Sequence, residues 1–388
     1  MASGKRQVTG VRQRAIWMDV VRGLAIIAVI YGHAEAVGRQ EGLFDTPGWM
    51  LASNRVLVLL RMPLLMFLSG MLVPRSIRRG WKSFLPGKFT KLAWPYAVWI
   101  AIFFVVLWIH EAATLDQIPM EIINPDNPNL TPLWYLRNLF FYYLLAQVLV
   151  WLRLPLWSGI FTGLGLSTYH LLKVPHPDQI DLRWGYLMAF FFLGAFIMDH
   201  LDKISTFLRK PAVTLLLIVL FLIPVYVYLA KIAPVRYRPE YIWGPMAFSG
   251  LIIAYAPLIK SSWLTKPIEF VGRNSLYYYV MHYPMFLGYS WWFAWRHEWG
   301  LGHFFGLMAL GLIVPTIAIY VCQWIPPLKW LFFELPWPRK KSPAKQALPA
   351  PSPAPNNSAT DASRQTERVE NEHRENVRTT SSFQSQSD

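Results

Sequence analysis

Arg22 and His33 stand eleven residues apart inside the first long apolar run of the chain, which opens with Trp17, Met18 and Asp19. A charge near the centre of a bilayer helix costs about 3 kcal/mol, so Asp19 and Arg22 are not expected there for stability. Eleven residues are close to three helical turns, which puts His33 on the face of Arg22 and roughly 16 Å further along. Because imidazole exchanges a proton near neutral pH, this pattern predicts a proton-transfer site inside a membrane protein.

Further polar residues fall into two layers when each apolar run is treated as a helix. At the level of Arg22 we expect a site suited to a ligand that bears phosphate, because guanidinium groups bind phosphate in a bidentate manner. The members of this layer are Arg22, Ser69, Arg273, Ser275 and the basic loop 74–91 with Arg75, Arg78 and Arg79. The members of the layer at the level of His33 are His33, Arg61, Arg137 beside Trp134, and His282.

Several of these residues have structural interpretations that remain open. The side chain of Arg61 could instead extend to the outer headgroups. Ser69 could instead be a small residue that lets two helices pack closely. Trp134 and Tyr135 are equally typical of an aromatic belt at the membrane surface. No spacing of His, Cys and carboxylate residues indicates a metal site, and no glycine-rich phosphate loop follows a strand.

Composition places these residues in a polytopic membrane protein. Hydrophobic residues make up 54% of the 388 residues, with 19 Trp, 18 Tyr and 24 Phe, and long apolar stretches recur from residue 17 to residue 332. The formal net charge of +15 does not indicate nucleic-acid binding, because the basic residues alternate between loops as membrane orientation requires. The first run is too long and too polar for a cleaved signal peptide, and the single cysteine, Cys322, excludes an internal disulfide framework.

The apolar runs predict an all-α bundle of about ten transmembrane helices with a domain boundary near each terminus. The expected spans are 17–37, 54–73, 92–110, 133–152, 155–172, 185–201, 211–231, 241–260, 268–290 and 301–325. Lys and Arg are concentrated in the N-terminus 1–16 and in alternate loops, and the loop 111–132 on the other side is acidic. The chain is therefore expected to be a multi-pass protein of the bacterial inner or plasma membrane with both termini cytoplasmic. The membrane domain spans 17–332, and the Pro-rich and then polar segment 339–388 is expected to be a disordered cytoplasmic tail.

In these motifs the sequence resembles the membrane-bound acyltransferase-3 family. The resemblance covers 17–325 and is carried, in order, by Asp19–Gly23 with His33, by Met62–Gly70, by the basic loop leading to Trp94–Tyr96, by Leu133–Leu136 and by Gly272–Tyr277 with His282. Aromatic pairs often precede the Ser–Gly of the family, whereas Met66 and Phe67 stand here. The resemblance implies ten helices and transfer of a small acyl group, commonly acetyl, from cytoplasmic acyl-CoA to a hydroxyl of an extracytoplasmic sugar or glycolipid. We expect no hydrolase-like extracytoplasmic domain, so that catalysis is expected within the membrane domain.

Residues and resemblance together lead to one hypothesis of O-acyl transfer, with no permanently bound cofactor. His33 is expected to act as general base on the acceptor hydroxyl or to carry the acyl group itself, and Asp19 to orient Arg22. The donor side consists of Arg22, Ser69, Arg273, Ser275, Arg75, Arg78 and Arg79. The acceptor side consists of His282, Arg137, Trp134 and Arg61, with the indole stacked on a sugar face. The alternatives are a transporter or flippase of a glycan or lipid, although no internal repeat supports it, and a scaffold, which leaves the buried histidines unexplained.

Overall fold

A computed structural model of the chain describes residues 3–109, 133–173, 179–293 and 295–336, with the backbone alone for 3–15, 179–181 and 297. All of them belong to one compact unit, Met1–Trp337, and the second unit, Pro338–Asp388, lies outside the described residues. The predicted tail 339–388 and the whole of the acidic loop 111–132 therefore fall outside the described part of the chain.

The described residues form helices and no strand. In chain order the helices are α1 Ser3–Gln40, α2 Gly48–Gly70, α3 Val73–Ile77, α4 Trp81–Lys88, α5 Trp94–Ile109, α6 Trp134–Trp151, α7 Ser158–Lys173, α8 Gln179–Met198, α9 Leu201–Leu208, α10 Pro211–Leu229, α11 Trp243–Tyr255, α12 Thr265–Arg273, α13 Ser275–Phe293, α14 Gly302–Trp324 and α15 Pro326–Phe332. A π-helical turn, Phe89–Ala93, joins α4 to α5.

Five helical segments within the described ranges are long and apolar enough to cross a membrane. They are Ile16–Gln40, Gly48–Ile77, Trp81–Ile109, Pro211–Leu229 and Gly302–Trp324. A sixth is obtained if α8 and α9, which meet at a bend of 102°, are counted as one broken span. Each of the ten predicted spans overlaps a described helix, but the count of ten crossings stays a prediction.

The predicted span 268–290 differs from the structure because it is interrupted between α12 and α13. Asn274 leaves the helical conformation, and its side-chain amide donates a 2.9 Å hydrogen bond to the carbonyl of Phe270. Asn is well suited to this role because its short amide replaces a backbone donor at a helix end. The break leaves Arg273, Asn274 and Ser275 at a corner instead of in a continuous helix.

Helices α1 and α2 form the centre of the bundle. Helix α1 packs against α2, α12, α13 and α14, and α2 packs against α8, α10 and α11. Helix α10 lies at the periphery of the bundle, since Leu215 and Tyr226 are more than 60% exposed. Exposed apolar side chains on a helix of this length are typical of a surface that faces lipid.

Glycines bring the central helices into backbone contact. A Cβ atom on Gly272 of α12 would lie 1.8 Å from the carbonyl oxygen of Asp19, and one on Gly23 would lie 2.1 Å from that of Ile268. Similarly, a Cβ atom on Gly70 of α2 would lie 1.8 Å from the carbonyl oxygen of Phe191 in α8. Small residues allow such close approach in membrane bundles. The motif glycines therefore position the charged residues next to them.

Candidate active site

A cluster of two acids and two arginines lies where α1 meets α12. Asp19 bridges the arginines, with one carboxylate oxygen 3.4 Å from Nη1 of Arg22 and the other 3.5 Å from Nε of Arg273. Glu269 forms a second, close ion pair with Arg273 one helical turn away. Because two carboxylates flank the guanidinium of Arg273, that side chain is held toward Arg22. The two arginines predicted for the donor side are thus brought together.

A cavity of about 460 Å³ opens beside this cluster. Four of the predicted donor-side residues line it: Arg22, Ser69, Arg273 and Ser275. The lining also contains Lys88 and Lys91, which belong to the basic loop predicted for the donor side, and Lys329, which sequence reasoning did not assign to a ligand. Five basic residues therefore face the cavity, and Glu334 is the only acidic residue among those that line it. Such a positively charged concavity attracts anions.

One wall of the cavity is a cluster of hydroxyl groups around Ser69. Its side chain shares a 3.0 Å hydrogen bond with the hydroxyl of Tyr135, and the hydroxyl of Tyr143 donates a 2.9 Å bond to its carbonyl. The ammonium group of Lys88 lies 3.3 Å from the centroid of the Tyr143 ring. A cation over an aromatic face is attracted by the ring quadrupole. Ser69 is thus a polar wall residue, while its neighbour Gly70 supplies the helix contact.

The two intramembrane histidines predicted for the opposite layer are in contact. The ring centroids of His33 on α1 and His282 on α13 are 5.2 Å apart, and that of Tyr283 is 5.3 Å from His33. His282 is fully buried and His33 partly so. The ring of His33 therefore faces the interior of the bundle and packs against aromatic groups.

His282 is held in one orientation by its own helix. Its Nδ1 atom lies 2.8 Å from the carbonyl oxygen of Tyr278 and must donate to it, so neutral His282 carries its proton on Nδ1. The other ring nitrogen, Nε2, is buried and has no hydrogen-bond partner among the described residues. It is therefore a basic lone pair without a proton donor. His33, in contrast, forms no side-chain hydrogen bond within the described ranges.

Tyr279 contacts both parts of the site. It lines the cavity together with Tyr135, whose ring centroid is 5.2 Å away, and its ring centroid lies 6.3 Å from that of His282. Neither histidine lines the cavity. Tyr279 therefore borders both the basic cavity and the histidine pair.

Arg61 is buried and does not extend toward headgroups. Its Nη1 atom donates to the carbonyl of Ala28 at 3.1 Å and to the side-chain oxygen of Asn54 at 3.2 Å. Asn54 in turn donates to Glu35 at 2.6 Å. A Cβ atom on Gly32 would lie 1.7 Å from this guanidinium, so the glycine just before His33 makes the room that Arg61 occupies.

Trp134 and Arg137 interact with α8 through cation–π contacts. The guanidinium of Arg183 lies 3.8 Å from the ring centroid of Trp134, and that of Arg137 lies 5.3 Å from Trp184. Arg137 is buried, and Trp134 is partly buried. One face of the indole predicted to stack on a sugar is thus covered by an arginine.

Three predicted donor-side arginines lie away from the cavity lining. Arg75, Arg78 and Arg79 are exposed, and Arg78 forms a 2.7 Å ion pair with Asp199. Lys88 and Lys91, from the last part of the same basic loop, face the cavity instead. Sequence reasoning recognised the charge of this loop but had no means to tell which of its residues turn inward.

Other residues of the site carried weaker sequence signals. The i,i+4 spacing of Glu269 and Arg273 is typical of a helical ion pair, and Tyr279 stands in a run of three tyrosines before His282. Arg183 and Arg236 had been considered only for membrane orientation. No group of three or more His, Cys, Asp or Glu side chains suited to a metal ion occurs in the part of the chain that the structure describes.

Comparison with known families agrees with this arrangement. The family model of the acyltransferase-3 domain, described as an acyltransferase domain, matches residues 15–321. No curated protein matches the chain, and no solved structure does. The match includes the part of α1 that carries Arg22 and His33, most of α14 and every described helix between them. The chain is therefore a membrane acyltransferase and belongs to the acyltransferase-3 family.

Proposed function

We propose that this protein transfers a small acyl group, acetyl in the simplest case, from acyl-CoA to a hydroxyl of a sugar or glycolipid. The observation that carries the proposal is the succession of a basic cavity, Tyr279 and the pair His33–His282 through the bundle. This succession offers a place for a polyanionic donor and, beyond it, a base for an alcohol.

The cavity supports the donor half of the proposal. Coenzyme A carries a 3′-phosphate and a diphosphate, and Arg22, Lys88, Lys91, Arg273 and Lys329 supply the opposite charge. The apolar part of the lining, with Ile26, Leu65 and Leu139, suits the pantetheine arm and the acyl group. Ser69 and Tyr135 offer hydroxyl groups to the thioester region.

The histidine pair supports the chemical half. His33 removes the proton of the acceptor hydroxyl as its oxygen attacks the thioester carbonyl, and the proton then passes to the departing thiolate of coenzyme A. Alternatively, His33 attacks first and an acyl-imidazole is resolved by the alcohol. Both routes consume acyl-CoA and alcohol and release ester and free thiol. Both require the thioester carbonyl to reach the imidazole.

The position of Tyr279 implies a movement during the reaction. Since Tyr279 lies between the cavity and His282, the thioester reaches His33 only when the Tyr279 ring swings aside. A wall that opens for the donor also protects the thioester from water while the acceptor is absent.

We infer the orientation in the membrane, and with it the side from which the acceptor approaches, from the distribution of Lys and Arg. We place the cavity at the cytoplasmic face, where acyl-CoA is available, and both termini on that side of the cell membrane. The acceptor then approaches from the outside, where His282, Arg61, Arg137 and Trp134 surround the base. Arg61 and Arg137 act there mainly by holding neighbouring groups, because each is engaged within the bundle.

The test compares His33→Ala and Arg22→Ala variants that reach the membrane at normal levels. Loss of the base lowers acyl transfer by about 10²-fold to 10⁴-fold with unchanged binding of coenzyme A. Loss of Arg22 weakens coenzyme A binding about tenfold. Transfer is measured by mass spectrometry of cell-envelope glycans and lipids, and binding is measured on purified protein.

The structure supplies matched controls for both variants. His200→Ala removes an exposed histidine, and Arg78→Ala removes an arginine that is paired with Asp199 outside the cavity lining. Both controls should retain transfer and binding. Undiminished transfer by His33→Ala and Arg22→Ala together would exclude the proposed function.

A further inference from the structure

The loop between α10 and α11 brings a second arginine to the histidine pair. Val235 is buried against Val58, Leu59 and Leu60, the residues of α2 directly before Arg61. Its neighbour Tyr237, at φ 59°, has a left-handed backbone that is uncommon for a bulky residue. The Tyr237 ring packs 5.8 Å from that of Tyr186 in α8. The loop is therefore fixed at both sides of Arg236.

Three buried polar atoms lack hydrogen-bond partners where this loop meets the histidines. They are Nε of Arg236, the hydroxyl of Tyr237 and Nε2 of His282, each without a partner among the residues that the structure describes. Nε of Arg236 and the hydroxyl of Tyr237 are donors, and Nε2 of His282 is an acceptor when the imidazole is neutral. A buried polar group without a partner costs about 1–3 kcal/mol. The loop packs on the residues just before Arg61, and the guanidinium of Arg61 lies against Gly32, the residue before His33. The three atoms therefore indicate a site beside the histidine pair that a polar ligand completes.

The charge around this site is strongly positive. The guanidinium of Arg61 fills the space next to Gly32, beside His33, and Arg236 belongs to the loop that packs on α2 just before Arg61. The guanidinium of Arg183 lies 3.8 Å from the ring centroid of Trp134. The acid that acts on Arg61 is Glu35, which is already bonded to Arg39 at 3.0 Å and to Asn54. Arg61 is buried and Arg236 partly so. Positive charges that are removed from water require an opposite charge nearby.

We propose that the acceptor is anionic and that Arg236 and Tyr237 bind its phosphate or carboxylate group while its hydroxyl lies at the histidine pair. This inference rests on the proposed function and specifies its substrate class. Arg236 neutralises one charge of the anion, Tyr237 donates its free hydroxyl to it, and Nε2 of His282 accepts from a hydroxyl of the same acceptor. Two common sources share this chemistry, a lipid-linked phosphate and an acidic sugar.

The experiment measures binding of three probes with the same alkyl chain to the full-length protein in phosphatidylcholine nanodiscs. Octyl phosphate, octyl glucuronide and octyl glucoside differ only in their headgroup. The variants are Arg236→Gln and Tyr237→Phe. The matched control is Arg238→Gln, which changes an arginine of the same loop that is paired with Glu240 at 2.9 Å.

The wild-type protein should bind at least one anionic probe and bind octyl glucoside far more weakly. Arg236→Gln should weaken the anionic probe about tenfold or more and Tyr237→Phe severalfold, whereas Arg238→Gln should leave it unchanged. Preference for octyl phosphate identifies a phosphate-bearing acceptor, and preference for octyl glucuronide identifies an acidic sugar. Equal binding of all three probes, or equal loss in both arginine variants, would overturn the inference.

Coenzyme A binding separates this inference from the proposed function. Arg236→Gln should bind coenzyme A like the wild-type protein, because Arg236 does not line the donor cavity. If it loses coenzyme A instead, the donor's phosphates occupy this site and the inference is wrong. If anion binding behaves as expected but His33→Ala and Arg22→Ala retain transfer, the anion site remains and the proposed reaction fails.

Discussion

The two histidines at the centre of the bundle are not equivalent. The imidazole of His282 is fixed by its bond to the Tyr278 carbonyl, whereas His33 packs against rings and makes no side-chain hydrogen bond in the described ranges. A fixed ring defines the geometry of a site, and an untethered ring is able to follow a substrate. This difference favours His33 as the residue that transfers the proton and His282 as the residue that orients the acceptor.

The position of Tyr279 predicts how the enzyme protects its donor. Replacing Tyr279 with Ala removes the ring between the cavity and His282, so water gains access to the thioester. Hydrolysis of acyl-CoA without acceptor should rise severalfold while acyl transfer falls. Release of free coenzyme A by the purified protein, with and without acceptor extract, measures both rates.

Tyr279→Phe is the matched control for this prediction, because it keeps the ring and removes only the hydroxyl. It should hydrolyse acyl-CoA as slowly as the wild-type protein. Equal hydrolysis by the Ala and Phe variants would show that the ring is not the barrier.

At the scale of elements, the donor cluster depends on the contact between α1 and α12. Arg22 and Arg273 belong to different helices, and they share Asp19 only because Gly23 and Gly272 allow the two backbones to touch. The break at Asn274 then turns the chain, so that α13 carries His282 back to α1. Two glycines and one asparagine thus assemble both parts of the site.

Replacing Gly272 with Ala should separate these helices. The new Cβ would lie 1.8 Å from the carbonyl oxygen of Asp19 and 2.9 Å from the amide nitrogen of Gly23, and backbone atoms cannot move aside cheaply. The expected destabilisation is about 1–3 kcal/mol, accompanied by weaker coenzyme A binding. Thermal unfolding in detergent and a binding titration measure the two effects.

Gly288→Ala provides the comparison within α13. A Cβ at this position meets no atom within 4 Å, and the change from Gly to Ala favours a helix by about 0.5–1 kcal/mol. This variant should therefore be at least as stable as the wild-type protein. A Gly272→Ala protein that unfolds at the wild-type temperature and binds coenzyme A normally would contradict the close-contact argument.

At the scale of the whole molecule, the sequence predicted which residues lie at the same depth. Helical periodicity and hydropathy placed Arg22 with Arg273 and His33 with His282, because depth in a bundle follows position along each helix. Periodicity does not report how helices rotate about their axes or where a loop turns. Periodicity therefore did not decide whether Arg61 extends to the headgroups or into the interior. It did not single out Lys88 within the basic loop, and it gave no site role to Tyr279 or Arg236.

Helix α15 and the residues up to Glu334, here called the strap, form part of the cavity lining. Lys329, Phe333 and Glu334 line the cavity, and the indole nitrogen of Trp99 donates a 2.9 Å hydrogen bond to the carbonyl of Phe332. Burial alone would raise the pKa of Glu334, but the hydrogen bond from Lys329 and the charge of Lys91 outweigh it and lower the pKa. The strap is thus held by Trp99 and Lys91 and belongs to the cavity wall.

The position of the strap predicts different results for two truncations. Removing residues 339–388 leaves every residue that lines the cavity in place, so coenzyme A affinity and acyl transfer should stay within about twofold of the full chain. Removing 326–388 deletes Lys329, Phe333 and Glu334 and should weaken coenzyme A about tenfold or more. Membrane levels of both proteins and titration with coenzyme A measure the difference. Equal losses in the two truncations would assign a part of the donor site to the tail.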